Sequence, residues 1–331
     1  MKLQMPLLAV CLAALAPAVL AQDDDPVPPK FGGQPPIEKP ITETPFTASD
    51  GKPVAPGRIP EDTTPSARDR WNKILAGTRI PGVQAAPIQG FDMSFEIATE
   101  GNEFAAHYKF KAKEKYLSFF LPRSSTKRVM LRGPKGDFLI EEGVAEKLGG
   151  RGNTVGPKQL DDWTAIARNF IALSDPKAIR IVSLKTLPAM TLPLPTESSI
   201  RNLPKLAKQL SWLEMRSPDF QLYNVEGPGK RTGIFRALLG VNQETGAVEL
   251  AILSEDHKEL GLHFSTMLVD ISRRNKIDGY IVPGRMQIWK VEHHRGRPTG
   301  FGKWEAVDLS LLEGGSLKPA FGENVFLPPP G

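Results

Sequence analysis

The sequence predicts an α+β protein in which a strongly curved antiparallel sheet, a half-open β-barrel, packs over a few amphipathic helices. Many segments alternate apolar and polar residues, the two-residue period of strands that are buried on one face. A few stretches instead carry the three- to four-residue apolar spacing of a helix. Turn-forming sequences such as PKGD, NQETG and NKIDG separate the strand candidates. This order does not fit a doubly wound nucleotide-binding fold.

The N-terminal end has the pattern of an export signal. Lys2 is followed by an apolar run over residues 7–20 and by small residues at Val19 and Ala21. The run is too short and too early for a typical membrane span. We therefore expect a signal peptide over residues 1–21, a periplasmic protein, and no transmembrane span in the mature chain.

The sole cysteine, Cys11, lies inside this signal. Acylation of Cys11 as a lipoprotein is an alternative, but Val10 occupies the position where such signals carry Gly, Ala or Ser. Cleavage after Ala21 removes the thiol. The mature chain is then expected to have no disulfide, no cysteine nucleophile and no cysteine metal site.

A proline-rich segment follows, and then a single domain. Residues 22–65 are rich in proline and poor in large apolar residues, so we expect a disordered tail that acts as a spacer or tether. The rest, residues 66–331, is expected to form one half-barrel domain. The net charge of the whole chain is +5, without a basic block interleaved with aromatics, so we expect no nucleic-acid partner.

Three segments have helical spacing. The first runs from Ser66, a plausible N-cap, to Gly77, with Trp71 and Ile74 on one side. The second is QLDDWTAIARNFIAL, which aligns apolar residues from 160 to 171. The third is IRNLPKLAKQLSWLEM, which aligns four leucines from 203 to 213. Each is expected to cover part of the sheet.

Strand periodicity dominates the remainder. FDMSFEIATEG and EFAAHYKFKAK alternate in phase across a short turn, which predicts an antiparallel hairpin. Further strand candidates share the same one-sided apolar pattern: KYLSFFL, KRVMLRG, GDFLIEE, AIRIVSLKTL, DFQLYNVEG, GIFRALLGV, AVELAILS, LGLHFSTMLVDISR, YIVPGRMQIWKVE and WEAVDLSLL.

Aromatic residues cluster on the predicted inner faces of these strands. A bent sheet with one apolar face must cover that face or bind something there. As candidates for the lining of an apolar ligand cavity we take Phe91, Phe95, Tyr108, Phe110, Phe264 and Trp289. Core and cavity lining have the same sequence pattern, so ordinary core packing is the alternative for each.

Residues for catalysis or metal binding do not form a recognisable motif. SEDHKELGLH brings two acids and two histidines, His257 and His263, close in sequence, but the spacing fits no zinc helix. No GxSxG elbow of an esterase is present. We therefore expect no enzyme activity, no catalytic residue, no metal and no cofactor.

Taken in order, the layout resembles the periplasmic lipoprotein-carrier superfamily, the LolA/LolB-like half-barrels, with the RseB-type sensor domain as a relative. WNKILAG stands before the first hairpin, helical DDWTAIARNFIAL follows the early strands, and DGYIVPGRMQI lies in a late strand series. The resemblance runs from about Trp71 to Val291 and implies a non-enzymatic carrier or sensor for a lipid or lipoprotein acyl chain. It transfers no individual binding residue.

Three functions remain open from the sequence. The leading one is an exported protein that binds a lipid, a lipoprotein acyl chain or a similar amphiphile for envelope trafficking or sensing. The second is an interaction module with a filled core that docks an envelope protein partner through its tail or a sheet edge. The third is a hydrolase of an envelope polymer built from dispersed acids and histidines.

Overall fold

The computed structural model describes residues 55–99, 102–111, 116–121, 128–149, 155–188, 201–220, 235–255, 263–294, 297–298, 307–322 and 324–330. The fold is α+β, as predicted, and its large antiparallel sheet is curved without closing into a barrel. The described part contains three α-helices: α1 (Pro65–Gly77), α2 (Val155–Ser174) and α3 (Leu203–Gln209). A single 3-10 turn, Pro176–Ala178, follows α2.

In the described part of the chain, fourteen strands form the sheet. Those of the N-terminal half are β1 (Gly90–Thr99), β2 (Asn102–Lys111), β3 (Tyr116–Leu121), β4 (Arg128–Gly133), β5 (Gly136–Glu141) and β6 (Val144–Lys147). Those of the C-terminal half are β7 (Ser183–Leu187), β8 (Ser211–Ser217), β9 (Phe235–Val241), β10 (Val248–Glu255), β11 (His263–Ile277), β12 (Tyr280–His294), β13 (Arg297–Pro298) and β14 (Val307–Leu311).

The sheet consists of two meanders joined by the last strand. Its spatial order is β6-β5-β4-β3-β2-β1-β14-β12-β11-β10-β9-β8-β7, and β13 pairs with β12 beside this path. Strand β14 pairs with β1 on one side and with β12 on the other. Because β6 and β7 lie at opposite edges, the chain between them must cross the whole sheet.

Helix α2 makes this crossing. At about 1.5 Å per residue its 20 residues span roughly 30 Å, enough to cross several strands spaced about 4.8 Å apart. It packs against β4, β5 and β12, and its buried residues Leu160, Trp163 and Phe170 belong to the main core. We call the sheet face that carries α1 and α2 the inner face.

The main core lies between this inner face and the two helices. Alternate residues of β1, namely Phe91, Met93, Phe95 and Ile97, are buried, as the sequence pattern predicted. Trp71 and Ile74 of α1 are fully buried in the same core. The confirmed β1–β2 hairpin is in register along its whole length.

A smaller apolar cluster lies on the opposite, outer face and is covered by α3. We call it the outer cluster, and its buried members are Leu203, Ala207, Leu210, Trp212, Leu238, Leu250, Ile252, Leu268 and Trp289. No helix in the described ranges is long and apolar enough to span a membrane.

The third predicted helix is wrong beyond Gln209. The chain turns at Leu210 and continues as β8, which pairs with β7 and β9. Trp212 reaches back across this turn, and its Nε1 donates to the carbonyl of Ala207 at 2.9 Å. Sheet pairing outweighs helical spacing here, because Leu213 is buried on the inner face while Trp212 belongs to the outer cluster.

Helix α1 also starts differently from the prediction. Thr64, not Ser66, is its N-cap, and its Oγ1 accepts from the backbone N–H of Ala67 at 3.4 Å. Pro65 then occupies the first helical position, which suits a residue without an N–H. Residues 55–64, which the sequence placed in the tail, contact the domain, since the N–H of Gly57 donates to the carbonyl of Ile179 at 2.8 Å.

Of two further strand candidates, one is shorter than predicted and the other lies mostly outside the described residues. The strand predicted over residues 178–187 begins only at Ser183. The backbone N–H of Arg180 donates to Asp219 Oδ2 at 2.6 Å and is therefore not available for strand pairing. Residues 221–227 of the candidate DFQLYNVEG lie outside the described residues, as does the signal peptide.

Candidate functional site

Four of the six predicted cavity residues meet on the inner face beneath α2. Phe91 stacks on Phe110 with ring centroids 5.6 Å apart, and Phe95 meets Tyr108 edge-on at 5.3 Å. Helix α2 contributes two further rings to this aromatic layer, Phe170 and Trp163. Phe170 lies 5.4 Å from Phe91 and 6.0 Å from Phe95, and Trp163 lies 5.2 Å from Tyr108.

The aromatic layer is packed. Its four strand residues are between 0 and 4% exposed, and edge-to-face geometry is the arrangement that aromatic side chains favour in cores. Burial also raises the pKa of Tyr108 well above its usual value, because the phenolate would lack solvation. A ligand among these rings would have to displace α2.

Of the other two predicted residues, the structure places only the side chain of Trp289. Trp289 belongs to the outer cluster, because β12 presents Ile288 to the inner face and Trp289 to the outer one. Its register partner on β11 is Leu268, another member of the outer cluster. Phe264 lies on β11, and its side chain is outside the described part of the structure.

A cavity of about 410 Å³ lies at the end of the β1–β2 pair, and we call it the strand-end cavity. Gly90 and Lys111, which line it, are partners in the register, and the next pair along is Phe91 with Phe110. Its remaining lining comes from a linker wall before β1 (Ala86, Pro87, Gln89) and a C-terminal wall after β14 (Leu317, Lys318, Pro319, Phe321).

Buried polar contacts fix the linker wall. Tyr280 of β12 donates its hydroxyl to the carbonyl of Ala86 at 2.5 Å and lies 3.2 Å from Asp175 Oδ2. Asp175 also accepts from the backbone N–H of Ile88 at 3.2 Å and pairs with Arg79 at 2.5 Å. The Arg79 guanidinium lies 4.0 Å from the centre of the Tyr280 ring, a cation–π contact.

The C-terminal wall is attached just as firmly. Asp278 Oδ2 accepts from the backbone N–H of Leu317 at 2.7 Å, and Leu317 is buried in the main core. Phe321 meets Phe326 edge-on at 5.1 Å, and Phe326 is buried. Both walls are therefore ordered by contacts that lie outside the cavity itself.

The sequence did not reveal this cavity. Its walls come from segments that flank strands and lie about as far apart in the chain as the domain allows. Neither segment has an apolar period, and the periodic patterns of the sequence point only to strand and helix faces. The signal in the sequence is Pro87 and Pro319, one in each segment. Proline cannot donate a backbone hydrogen bond, which indicates that these segments lie outside the sheet pairing.

A serine, a histidine and an aspartate meet on the outer face of β1 and β2. His107 contacts Asp92 Oδ1 through Nε2, and its Nδ1 lies 3.5 Å from Ser94 Oγ. Ser94 is the direct cross-strand partner of His107, and β1 is paired on both sides by β2 and β14. The pairing of β1 with β14 runs from Phe95 to Ala98, so the backbone N–H groups that directly follow Ser94 are used by the sheet.

Other acids and histidines of the sequence motifs give no catalytic arrangement in the described part. His257 lies outside the described residues, and His263 is placed by its backbone alone. The described residues contain no group of three or more His, Cys, Asp or Glu that could hold a metal ion.

No protein-family model and no curated protein match the chain. Among solved structures, a DUF1329 family protein from Desulfovibrio piger is similar at 13% identity and a TM-score of 0.37, covering 79% of this chain and 95% of that chain. The MucA/MucB complex of Pseudomonas aeruginosa matches at 9% identity and a TM-score of 0.18, covering 74% and 93%. A structure of MucB matches at 8% identity and a TM-score of 0.16, covering 75% and 93%. Likenesses this distant transfer no function.

Proposed function

We propose that this chain is an exported, periplasmic, non-enzymatic protein that binds the acyl chain of a lipid, a lipoprotein or a similar amphiphile, for trafficking or sensing at the cell envelope. The strand-end cavity carries this proposal. Its volume of about 410 Å³ falls within the range of roughly 300–1,000 Å³ that is typical of small-molecule sites. Leu317, Phe321, Pro87 and Pro319 supply an apolar lining.

The energetics suit such a ligand. Each buried methylene of an acyl chain contributes about 0.8 kcal/mol, so binding needs apolar surface and no catalytic group. In this proposal the ligand occupies the strand-end cavity, and Phe91 and Phe110 form the packed boundary next to it. Phe95 and Tyr108 lie further along the same strands and keep α2 in place.

The test uses native mass spectrometry with lipid extraction, and titration with a neutral probe, the methyl ester of a dansylated undecanoic acid. Ala86 is exposed and lines the cavity, so Ala86→Trp should fill it while leaving the Ala86 carbonyl in place. We expect at least tenfold weaker probe binding for this variant. Gln84→Trp, at an exposed linker position outside the lining, is the matched control and should bind as the wild type does.

Two results would overturn the proposal. One is a wild-type protein that carries no lipid and does not bind the probe. The other is an Ala86→Trp variant that binds the probe as tightly as the control does, since the ligand would then lie elsewhere.

A second function, docking of an envelope protein partner through a sheet edge, is favoured by one observation. Strand β6 pairs with β5 on one side and, within the described ranges, with no strand on the other, and its Val144 is 73% exposed. An exposed edge strand is a template for strand addition. A photo-crosslinker at Val144 should then give one discrete adduct in cells, and the same group at exposed Glu313 should not. Equal adducts at both positions would argue against it.

A further inference from the structure

Three cations surround one carboxylate on the outer face of β7, β8 and β9. Glu214 follows Trp212 by two residues on β8, so both lie on the outer face, and the register partner of Glu214 on β7 is Lys185. Arg216, two residues further along β8, is the register partner of Arg236 on β9. We call Lys185, Glu214, Arg216 and Arg236 the cationic patch.

The single carboxylate of the cationic patch does not balance its cations. Glu214 Oε2 accepts from Arg236 Nη2 at 2.8 Å, and Glu214 Oε1 lies 3.7 Å from Arg216 Nε. Lys185 is exposed and has no ion pair within the described part of the chain. With three cations and one carboxylate, the patch carries a net charge of +2.

The two arginines are placed where an anion would stabilise them. Like charges that lie directly opposite each other on neighbouring strands destabilise a sheet, and Arg216 faces Arg236 in this way. Their side chains are 46% and 42% exposed, so a partner can reach both guanidinium groups. Guanidinium groups bind carboxylates through paired hydrogen bonds. The cationic patch therefore fits a partner that presents several carboxylates.

The chain itself contains such a partner. Asp23, Asp24 and Asp25, which we call the acidic segment, form the only run of three acidic residues in the sequence. They belong to residues 22–54, which lie outside the described residues. Their three negative charges exceed the net charge of the cationic patch, so the two are complementary.

The chain also enters the described domain close to the cationic patch. The N–H of Gly57 donates to the carbonyl of Ile179 at 2.8 Å, and the N–H of Val182 donates to the carbonyl of Arg216 at 2.8 Å. Since three residues of extended chain span about 10 Å, Gly57 lies within about 20 Å of the backbone of Arg216. Asp25 is separated from Gly57 by 31 residues, and a flexible chain of this length has a root-mean-square span of about 30 Å. The acidic segment can therefore reach the patch.

We propose that the acidic segment docks on the cationic patch of the same chain and holds the N-terminal part of the mature protein against the outer face. Because both sites belong to one chain, their effective concentration is set by the linking residues and not by the protein concentration. The charges are partly exposed, so salt weakens the contact and a competing anion releases it. The inference goes beyond amphiphile binding and does not depend on it.

A single nitroxide label tests this contact in the full mature chain. The sole cysteine, Cys11, lies in the expected signal peptide, so Val27→Cys gives one labelling site, two residues after the acidic segment. Paramagnetic relaxation enhancement of the backbone amide signals then shows which part of the domain the label approaches. At low salt we expect an enhancement at Arg216 and Arg236 that exceeds the one measured in the control chain by about threefold or more.

The control chain has the same length and label but carries Asp23→Asn, Asp24→Asn and Asp25→Asn. It changes no residue of the described domain, so loss of folding cannot explain its result. The excess enhancement should disappear in about 0.5 M NaCl, where exposed charges are screened over a few ångströms.

Substitutions in the domain locate the contact. Arg216→Gln combined with Arg236→Gln should reduce the enhancement to the level of the control chain. Lys135→Gln combined with Lys147→Gln removes the same charge at exposed positions near the opposite edge of the sheet and should leave the enhancement unchanged.

Three results would overturn the inference. The first is equal enhancement in the wild type and in the control chain. The second is an excess enhancement that survives loss of both arginines, since the acidic segment would then lie elsewhere. The third comes from vesicles of phosphatidylglycerol: if they shift the amide signals of Arg216 and Arg236 equally in both chains, the patch serves a membrane surface. None of these results bears on amphiphile binding, because the strand-end cavity shares no lining residue with the cationic patch.

Discussion

Arg201 donates from its guanidinium to Asp270, whose side chain is fully buried on the outer face of β11. The Arg201 Nε lies 2.7 Å from Asp270 Oδ1. The same guanidinium reaches Glu249 Oε2 at 2.8 Å and the carbonyl of Ile271 at 2.9 Å. Arg201 directly precedes Asn202, the N-cap of α3. One side chain therefore fixes the start of the helix that covers the outer cluster.

Removal of Arg201 is expected to be severe. Arg201→Met leaves the buried carboxylate of Asp270 without its cation, and breaking a buried pair in this way costs about 3 kcal/mol of unfolding free energy. Lys205→Met, at an exposed site on α3, should change stability by less than about 0.5 kcal/mol. Urea unfolding at neutral pH measures both. A double variant, Arg201→Met with Asp270→Leu, should recover most of the loss, and a single variant as stable as the control would contradict this role.

The raised pKa of Asp270 predicts that its contribution to the unfolding free energy falls as pH rises, the opposite of the usual behaviour of a paired carboxylate. Burial raises the pKa of Asp270 above its ordinary value, although hydrogen bonds from Arg201 act in the opposite direction and Glu249 adds to the rise. Its Oδ2 has no hydrogen-bond donor in the described part. The folded state therefore holds this proton more tightly than the unfolded state, and stability from this group is full below the unfolded pKa and is lost as pH rises through the folded one.

Asp270→Asn provides the test of that sign. The variant lacks the titration, so the unfolding free energy of the wild type minus that of the variant should decrease as pH rises from 3.5 to 6.5. Urea unfolding across this interval measures the difference, which removes contributions from all other groups. A difference that grows with pH would mean that Arg201 outweighs burial and lowers the pKa of Asp270.

Ionisation of the Tyr280 phenol should lower the stability of the protein at alkaline pH. Burial and the neighbouring Asp175 raise the pKa of its phenol to about 12. With an unfolded pKa near about 10, its contribution is complete below pH 10 and is lost as pH rises from 10 to 12. Tyr280→Phe also removes the hydrogen bond to the carbonyl of Ala86, at a cost of about 1 kcal/mol at pH 8.

Unfolding by urea at pH 8 and pH 11 checks both parts. The gap between wild type and Tyr280→Phe should narrow at pH 11, because the wild type alone loses the phenol proton. The same variant should weaken probe binding about threefold at pH 8, since the linker wall loses a fixed point. Unchanged affinity would show that Arg79 and Asp175 suffice to hold this wall.

Gly246 lies in the turn between β9 and β10 and packs closely against α1. Its φ of +71° lies in the left-handed region, and an added Cβ would lie 2.3 Å from the carbonyl oxygen of Lys73. Gly143 has a φ of +84° with nothing within 4 Å of its Cβ position, so Gly143→Ala measures conformational strain alone. We expect about 1 kcal/mol for Gly143→Ala and clearly more for Gly246→Ala, in urea unfolding. Equal losses would mean that α1 moves freely away from this turn.

The sequence was sufficient to predict those elements in which apolar residues repeat at a single strand or helix spacing. The β1–β2 hairpin and α2 were predictable because buried residues such as Phe91 and Phe170 repeat at strand or helix spacing. It failed at Leu210, where a leucine stripe continues but pairing with β9 converts the chain to β8. The strand-end cavity depends on β14 entering between β1 and β12, a long-range pairing that no local period encodes.

A substitution in the aromatic layer can test whether its residues form core or line a ligand site. Phe95 lies within it, away from the residues that line the strand-end cavity. If the layer is core, Phe95→Ala should lower the unfolding free energy by about 3–5 kcal/mol, because a buried ring is replaced by a void, while the folded variant keeps its probe affinity within about twofold. Phe95→Leu, which keeps most of the volume, should lose less and serves if the alanine variant does not fold. Unfolding in urea with and without the methyl ester probe measures both quantities. Unchanged stability with a collapse of probe affinity would instead place the acyl chain among Phe91, Phe95, Tyr108 and Phe110, because side chains that line an open cavity support the ligand more than they support the fold.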